Sequence, residues 1–192
     1  MPLPARSAAS FRILLRRFRR NRRGSAAVEF SLVALPFFAL LFAIIETAIV
    51  FFASQVLETG IEDAGRQIYT HQLQDKNLSE AQAKADFEKD LCNRVKVLFS
   101  CSDAALLAVD VRFYAPGTTI TITDPIVSGS YNGAGLTFKL PPTGSTATVV
   151  VRGFYQWPLI VTGLGYNIAN IGRGTSSSKR LLAATTAFHV EP

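Results

Sequence analysis

The sequence predicts an α+β chain: a long N-terminal transmembrane helix followed by a small exported domain with a mainly antiparallel sheet. Three observations predict it. From Phe30 to Ala53 only Ser31, Glu46 and Thr47 are polar, and about 20 apolar residues suffice to span a hydrocarbon core. Apolar residues then keep a three- to four-residue period, and no proline falls between Pro36 and Pro116. From Leu107 the period changes to two.

The first element is basic. Residues 1–24 hold Arg6, Arg12, Arg16, Arg17, Arg19, Arg20, Arg22 and Arg23 and no acid. The net charge of +6 comes from this stretch, because the remaining residues carry 12 basic and 14 acidic side chains. A basic cluster can bind nucleic acid, bind anionic lipid or hold an N-terminus in the cytoplasm. Its place directly before an apolar span favours the last reading. No aromatic-interleaved basic patch recurs, so nucleic acid is not an expected partner. The expected organisation is a basic cytoplasmic leader over 1–24, a transmembrane helix with its exported continuation over 25–74, and an exported α+β domain over 75–192.

The apolar run exceeds the roughly 7–15 residues of a cleaved secretory signal, and Phe51-Phe52-Ala53 lacks the small-x-small site that should follow one. Pro36 removes one helical hydrogen bond and is expected to bend or loosen the helix. Glu46 lies ~24 Å along a helix from Phe30, near the far interface. Glu29 stands at the cytoplasmic edge, where a charge in an apolar setting usually has a partner. Its simplest role is that of an N-terminal acid favoured by the helix dipole.

Past the span, Ile49, Phe52, Val56 and Gly60 follow helical steps, and Glu62 and Arg66 are spaced as an i,i+4 pair. The helix is expected to reach about Gln74, with Gly60 and Gly65 as places to bend. A second helix is expected over 79–98, capped by Ser79, with Phe87, Leu91, Arg94/Val95 and Leu98 marking one face. Leu107, Val109, Val111 and Phe113 alternate with polar or smaller residues as a strand does, Ile120 and Ile122 alternate with threonines, and 148–155 and 182–190 are β-rich. The stretches 128–135 and 172–178 are loops by composition. Phe154, Tyr155 and Trp157 have two readings, a partner-binding surface or, favoured, core and sheet packing, and Tyr131 is the better exposed contact candidate.

Two cysteines are present, Cys92 and Cys101. On an oxidising side of the membrane such a pair is a staple rather than a metal site, since His71 and His189 are too distant in sequence to complete a zinc set. A bridge here closes a short loop and stabilises by ~2–3 kcal/mol.

Gly24-Ser25-Ala26-Ala27-Val28-Glu29-Phe30 resembles the cleavage site of type IV pilin-like precursors. More narrowly, Arg22-Arg23-Gly24-Ser25-Ala26-Ala27-Val28-Glu29-Phe30 is similar to the TadE-like minor pilins (pseudopilins) of the tight-adherence, or Flp, pilus system. Further markers follow along the chain: Glu62-Asp63-Ala64-Gly65-Arg66-Gln67-Ile68, the pair Cys92 and Cys101, Val109-Asp110-Val111-Arg112, Tyr155-Gln156-Trp157-Pro158-Leu159 and Glu191-Pro192. Two departures stand out. Val190 precedes Glu191 where relatives often carry asparagine, and His71 stands where they often carry glycine.

The resemblance implies a pilin-like exported domain and cleavage between Gly24 and Ser25 by a prepilin peptidase. It implies that Glu29 becomes the fifth residue of the mature chain and that the new α-amino group of Ser25 can be N-methylated. A glycine without Cβ and small residues at 25–27 leave the backbone accessible to a peptidase. The freed amine is largely cationic at neutral pH, so Glu29 can pair with that of a neighbouring subunit in an apolar assembly, where the attraction is strong. Expected partners are the peptidase, other pilins, the pilus assembly platform and the inner membrane. The alternative is an uncleaved single-pass inner-membrane protein whose exported domain binds an envelope partner. An enzyme has no support: no G-x-S-x-G, H-E-x-x-H, phosphate loop or nucleophilic cysteine with a nearby histidine occurs. No cofactor or metal is expected.

Overall fold

The computed structural model describes residues 24–101, 106–164 and 166–191. The arginine-rich leader, Asp103 and Pro192 lie outside these. The elements are α1 (Ser25–Tyr69), α2 (Glu80–Val95), β1 (Leu107–Tyr114), β2 (Ile126–Val127), β3 (Ser130–Tyr131), β4 (Ala147–Pro158) and β5 (Lys179–Val190). This is the α+β architecture expected: a long apolar N-terminal helix, then a small domain on an antiparallel sheet. By its contacts the chain divides into two compact units, one up to Phe42 and one from Ala43 onward.

In the second unit, α1 buries Ala53, Leu57, Ile61, Ala64 and Ile68, each fully enclosed. Their four- and three-residue steps make one helical stripe. The stripe runs one residue out of phase with Phe52 and Val56, whose spacing marked the helix in the sequence. Ile49 and Phe52 are exposed. The period was readable but its phase was not, because apolar residues occupy several faces of the helix.

Two glycines set how closely the layers approach. A Cβ on Gly60 would come within 2.6 Å of Val95 Cγ1 on α2, and one on Gly153 within 2.4 Å of Ile61 Cδ1. Gly60, expected to bend the helix, instead admits α2 against it, and Gly153 admits α1 onto the sheet.

Ser79 caps α2 through a capping box: its hydroxyl accepts from Gln82 N–H, and the Gln82 side chain accepts from Ser79 N–H. Ala83, Phe87, Leu91 and Val95 form the buried face, while Arg94 turns outward to Asp90 and Asp63. Asp63, rather than the expected pairing of Glu62 with Arg66, supplies the ion pair on α1. Cys92 and Cys101 are joined by a disulfide, with their Cα atoms 6.0 Å apart.

Helix α1 closes at Tyr69 rather than Gln74, and residues 70–77 form turns. His71 has φ 58°, in the left-handed region, which ends a right-handed helix and favours glycine.

The main sheet has the order β1-β4-β5, all antiparallel, with β4 central. Most of β4 is buried. A small hairpin pairs β2 with β3 through Ser128 and Gly129, both at positive φ, the backbone of a two-residue hairpin turn. The loop expected over 128–135 therefore contains a strand. Ile120 and Ile122 are not in a strand and are exposed. Their segment has no ladder partner and is held by three contacts instead. Tyr114 Oη donates to Thr121 O, Arg112 Nη2 to Thr123 Oγ1 and Arg152 Nη1 to Thr123 O.

Candidate functional site at the start of the apolar helix

Gly24 immediately precedes α1 and is exposed; among the described residues, its chain neighbours aside, nothing lies within 4 Å of where its Cβ would be. Ser25 opens the helix, so Glu29 is its fifth residue. The first turn holds no acid. A dipole effect fades within the first turn, so that role explains Glu29 poorly. Glu29 is exposed on the helix surface.

The surface around Glu29 is apolar on several faces. Val28, Phe30, Leu32, Val33, Leu35 and Phe37 are all more than half exposed. Helix α1 continues through Pro36, and Phe38 packs between Phe37 and Phe42, with ring centroids 5.5 and 6.4 Å away. An uncovered apolar helix with one acid near its start can do two things chemically. It can dissolve in lipid, and it can offer a carboxylate to a cation brought to the same depth.

The second acid of the run has a different setting. Glu46 is 8 % exposed. Its carboxylate accepts from Ile160 N–H and, at 3.2 Å, from Val161 N–H. Those donors open the 3₁₀ turn Val161–Leu164, where unsatisfied backbone N–H groups collect. Thr47 Oγ1 donates to Tyr166 Oη at 3.1 Å. The sequence reading left Glu46 at the interface and missed this role. The signal was there: an acid within an apolar run requires a partner.

Within the sheet, the Val109-Asp110-Val111-Arg112 motif becomes a buried charge cluster. Asp110 stands opposite Arg152 in the β1–β4 register and is 1 % exposed. Its carboxylate accepts from Arg152 Nη2 at 2.6 Å, Arg112 Nε at 3.1 Å and Thr137 N–H at 2.7 Å. Burial alone would raise the pKa of this acid. The Thr137 N–H and the two guanidinium groups outweigh burial and hold it below the ordinary carboxylate value. Arg152 was not singled out from the sequence, although one arginine inside Val149-Val150-Val151-Arg152 marks a buried pair.

Tyr155 and Trp157 pack on Phe99, with centroids 4.6 and 5.7 Å from its ring. Tyr155 Oη also accepts from Ser100 N–H. Tyr131, expected to be an exposed contact, packs instead against the small cluster of Phe154, Ile171 and Leu181. Burial raises its hydroxyl pKa. Among the described residues, no group of three or more His, Cys, Asp or Glu side chains could hold a metal ion.

Among the described residues, one helix near the N-terminus is long and apolar enough to cross a membrane, and a C-terminal α+β domain follows it, the arrangement of a membrane-anchored protein. Within that class, residues 24–66 match the family model of the TadE-like proteins, and the chain is TadE-like over that segment. The match begins at Gly24 and ends within α1. It is consistent with a TadE-like protein of the tight-adherence pilus system. No curated protein and no solved structure matches the chain.

Proposed function

We propose that the chain is a minor pilin of a tight-adherence (Flp) type IV pilus, needed to assemble or initiate a fibre that supports surface adhesion. A prepilin peptidase cuts between Gly24 and Ser25 at the cytoplasmic face of the inner membrane. The remaining helix stays in the membrane, with residues 75–192 in the periplasm, until the subunit joins other pilins at the assembly platform. Glu29 then pairs with the α-amino group of an adjacent subunit.

The observation that supports this reading is the coincidence of three features. The TadE-like match begins at Gly24, helix α1 begins at Ser25, and Val28 and Phe30 on either side of Glu29 are bare. A subunit that must be cut at a membrane face and then bound through its own helix requires all three close together.

Mass spectrometry of the protein from cells with and without the peptidase tests the first step. A mature chain beginning at Ser25 is expected when the peptidase is present. An intact leader under those conditions would instead support the uncleaved single-pass reading. Glu29→Ala tests the second step: cleavage and membrane insertion should persist while recovery in sheared fibres falls. Unchanged incorporation would sink the pairing.

A further inference from the structure

We propose that Ile160 and Tyr166 form a second membrane contact, entering the bilayer interface on the domain's side of the membrane that α1 crosses. This rests on the membrane-anchored reading given above. Ile160 is 90 % exposed, more than any other large hydrophobic among the described residues. One exposed isoleucine means little by itself. The position in which this one is held gives it meaning.

The backbone at Ile160 and Val161 is bonded to the Glu46 carboxylate, and Tyr166 Oη is bonded to Thr47. The segment is therefore tied, near both of its ends, to one level of α1. The apolar surface of α1 does not stop at that level. Ile49, Phe51 and Phe52 are 44 %, 69 % and 60 % exposed. Phe52 lies ~9 Å beyond Glu46 along the helix axis. A bilayer thick enough to cover Phe51 and Phe52 thus extends past the level at which Ile160 and Tyr166 are held.

The polar groups at that level are already paired with one another. Glu46 meets the N–H groups of Ile160 and Val161, and the hydroxyls of Thr47 and Tyr166 meet each other. Such pairing lowers the cost of leaving water, because unsatisfied groups are what apolar surroundings penalise. Tyr166 is 42 % exposed, and a ring with one polar end is characteristic of the membrane–water boundary. Exposed isoleucine, a tyrosine with one polar end and helix side chains that stay bare and apolar past them are what a lipid contact at this level requires.

Site-specific fluorescence on the full-length protein in phosphatidylethanolamine–phosphatidylglycerol vesicles tests this. Cys92 and Cys101 are bonded to each other, so one introduced cysteine takes an environment-sensitive dye. The labelled variants are Ile160→Cys and Tyr166→Cys, with Leu40→Cys on the apolar helix and Thr143→Cys beyond the opposite end of β4 as references. The dyes at 160 and 166 should emit to the blue and be quenched by nitroxide-bearing lipid, as at 40. The dye at 143 should emit as in water and be quenched by iodide. Lipid quenching at 40 with iodide quenching at 160 and 166 would overturn the second contact and leave the anchor intact. Iodide quenching at 40 would overturn the anchor itself, and the second contact with it. A blue shift at 160 that resists nitroxide lipid and disappears as protein is diluted at fixed lipid would assign the surface to another copy of the chain, which also overturns the proposal.

Discussion

The first and last stretches of α1 are both apolar, yet they stand in opposite conditions. Between Val28 and Phe37 large side chains lie bare, whereas Ala53, Leu57, Ile61, Ala64 and Ile68 are completely enclosed. The later stretch meets its own chain: α2 lies against Gly60, and β4 lies against Ile61 through Gly153. The early stretch belongs to the first unit, and its large apolar side chains from Val28 to Phe37 are more than half exposed. Hydrophobicity sets how much surface must leave water but not what will cover it. The later stretch is thus a folding element, and the early stretch requires lipid or another subunit. Substitutions in the domain should change stability, and substitutions near Glu29 should change assembly.

The largest expected effect in the domain is at Asp110. Asp110→Ala leaves Arg152, 4 % exposed, as a buried cation without its carboxylate. Removing one partner of a buried pair costs roughly 3–5 kcal/mol. Urea unfolding of the detergent-solubilised protein, followed by the fluorescence of Trp157, should show the loss as a lower midpoint. The same network fixes a pH dependence. The folded-state pKa of Asp110 is depressed, so its contribution is complete at neutral pH. That contribution is lost as pH falls below the ordinary carboxylate range and through the depressed value. Unchanged acid unfolding in the variant would show that other groups control it.

The next effect belongs to the disulfide. Replacing Cys92 and Cys101 together by serine removes a cross-link with a sequence separation of 9. Opening so short a loop should cost about 2–3 kcal/mol. The same urea titration reads it, and wild-type protein under reducing conditions should reproduce the shift. If reduction leaves the midpoint unchanged, the bridge contributes nothing to stability.

These effects also mark what the sequence made legible. Local signals were readable: the apolar run, the Ser79 cap, the period-two run of β1 and the bonded cysteines. Each depends on neighbours a few residues away. The features that escaped depend on distant partners. The buried stripe of α1 is decided by where α2 and β4 press, so Phe52 and Val56 were as plausible as Ala53 and Leu57. Ile120 and Ile122 have strand-like alternation but no adjacent strand. Tyr131 sits in a glycine-rich stretch that suggested exposure, yet a three-residue cluster from β4 and the region of β5 receives it. At the candidate site the proposed roles of Gly24, Ser25 and Glu29 rest on a run of consecutive residues, which a sequence displays directly. The bonds of Glu46 were not readable, because its donors lie more than a hundred residues later.

The smallest expected effect is a gain, at the end of the enclosed stretch. His71 holds φ 58°, and left-handed backbone costs a residue with a Cβ about 1–2 kcal/mol. His71→Gly removes that strain. It also removes the histidine Nε2, which lies 3.3 Å from Glu191 O, and the buried Nδ1, which has no hydrogen-bond partner among the described residues. The first loss is unfavourable and the second favourable. Glycine also gives the unfolded chain more freedom, which offsets part of the gain. The net should be a stabilisation of up to about 1 kcal/mol, read as a small rise in the urea midpoint. His71→Ala separates the terms, because it discards the imidazole but keeps the Cβ. If alanine stabilises as much as glycine, the unpaired imidazole nitrogen, rather than the backbone, is what the histidine costs. If neither stabilises, the contact with Glu191 is worth as much as the strain it accompanies.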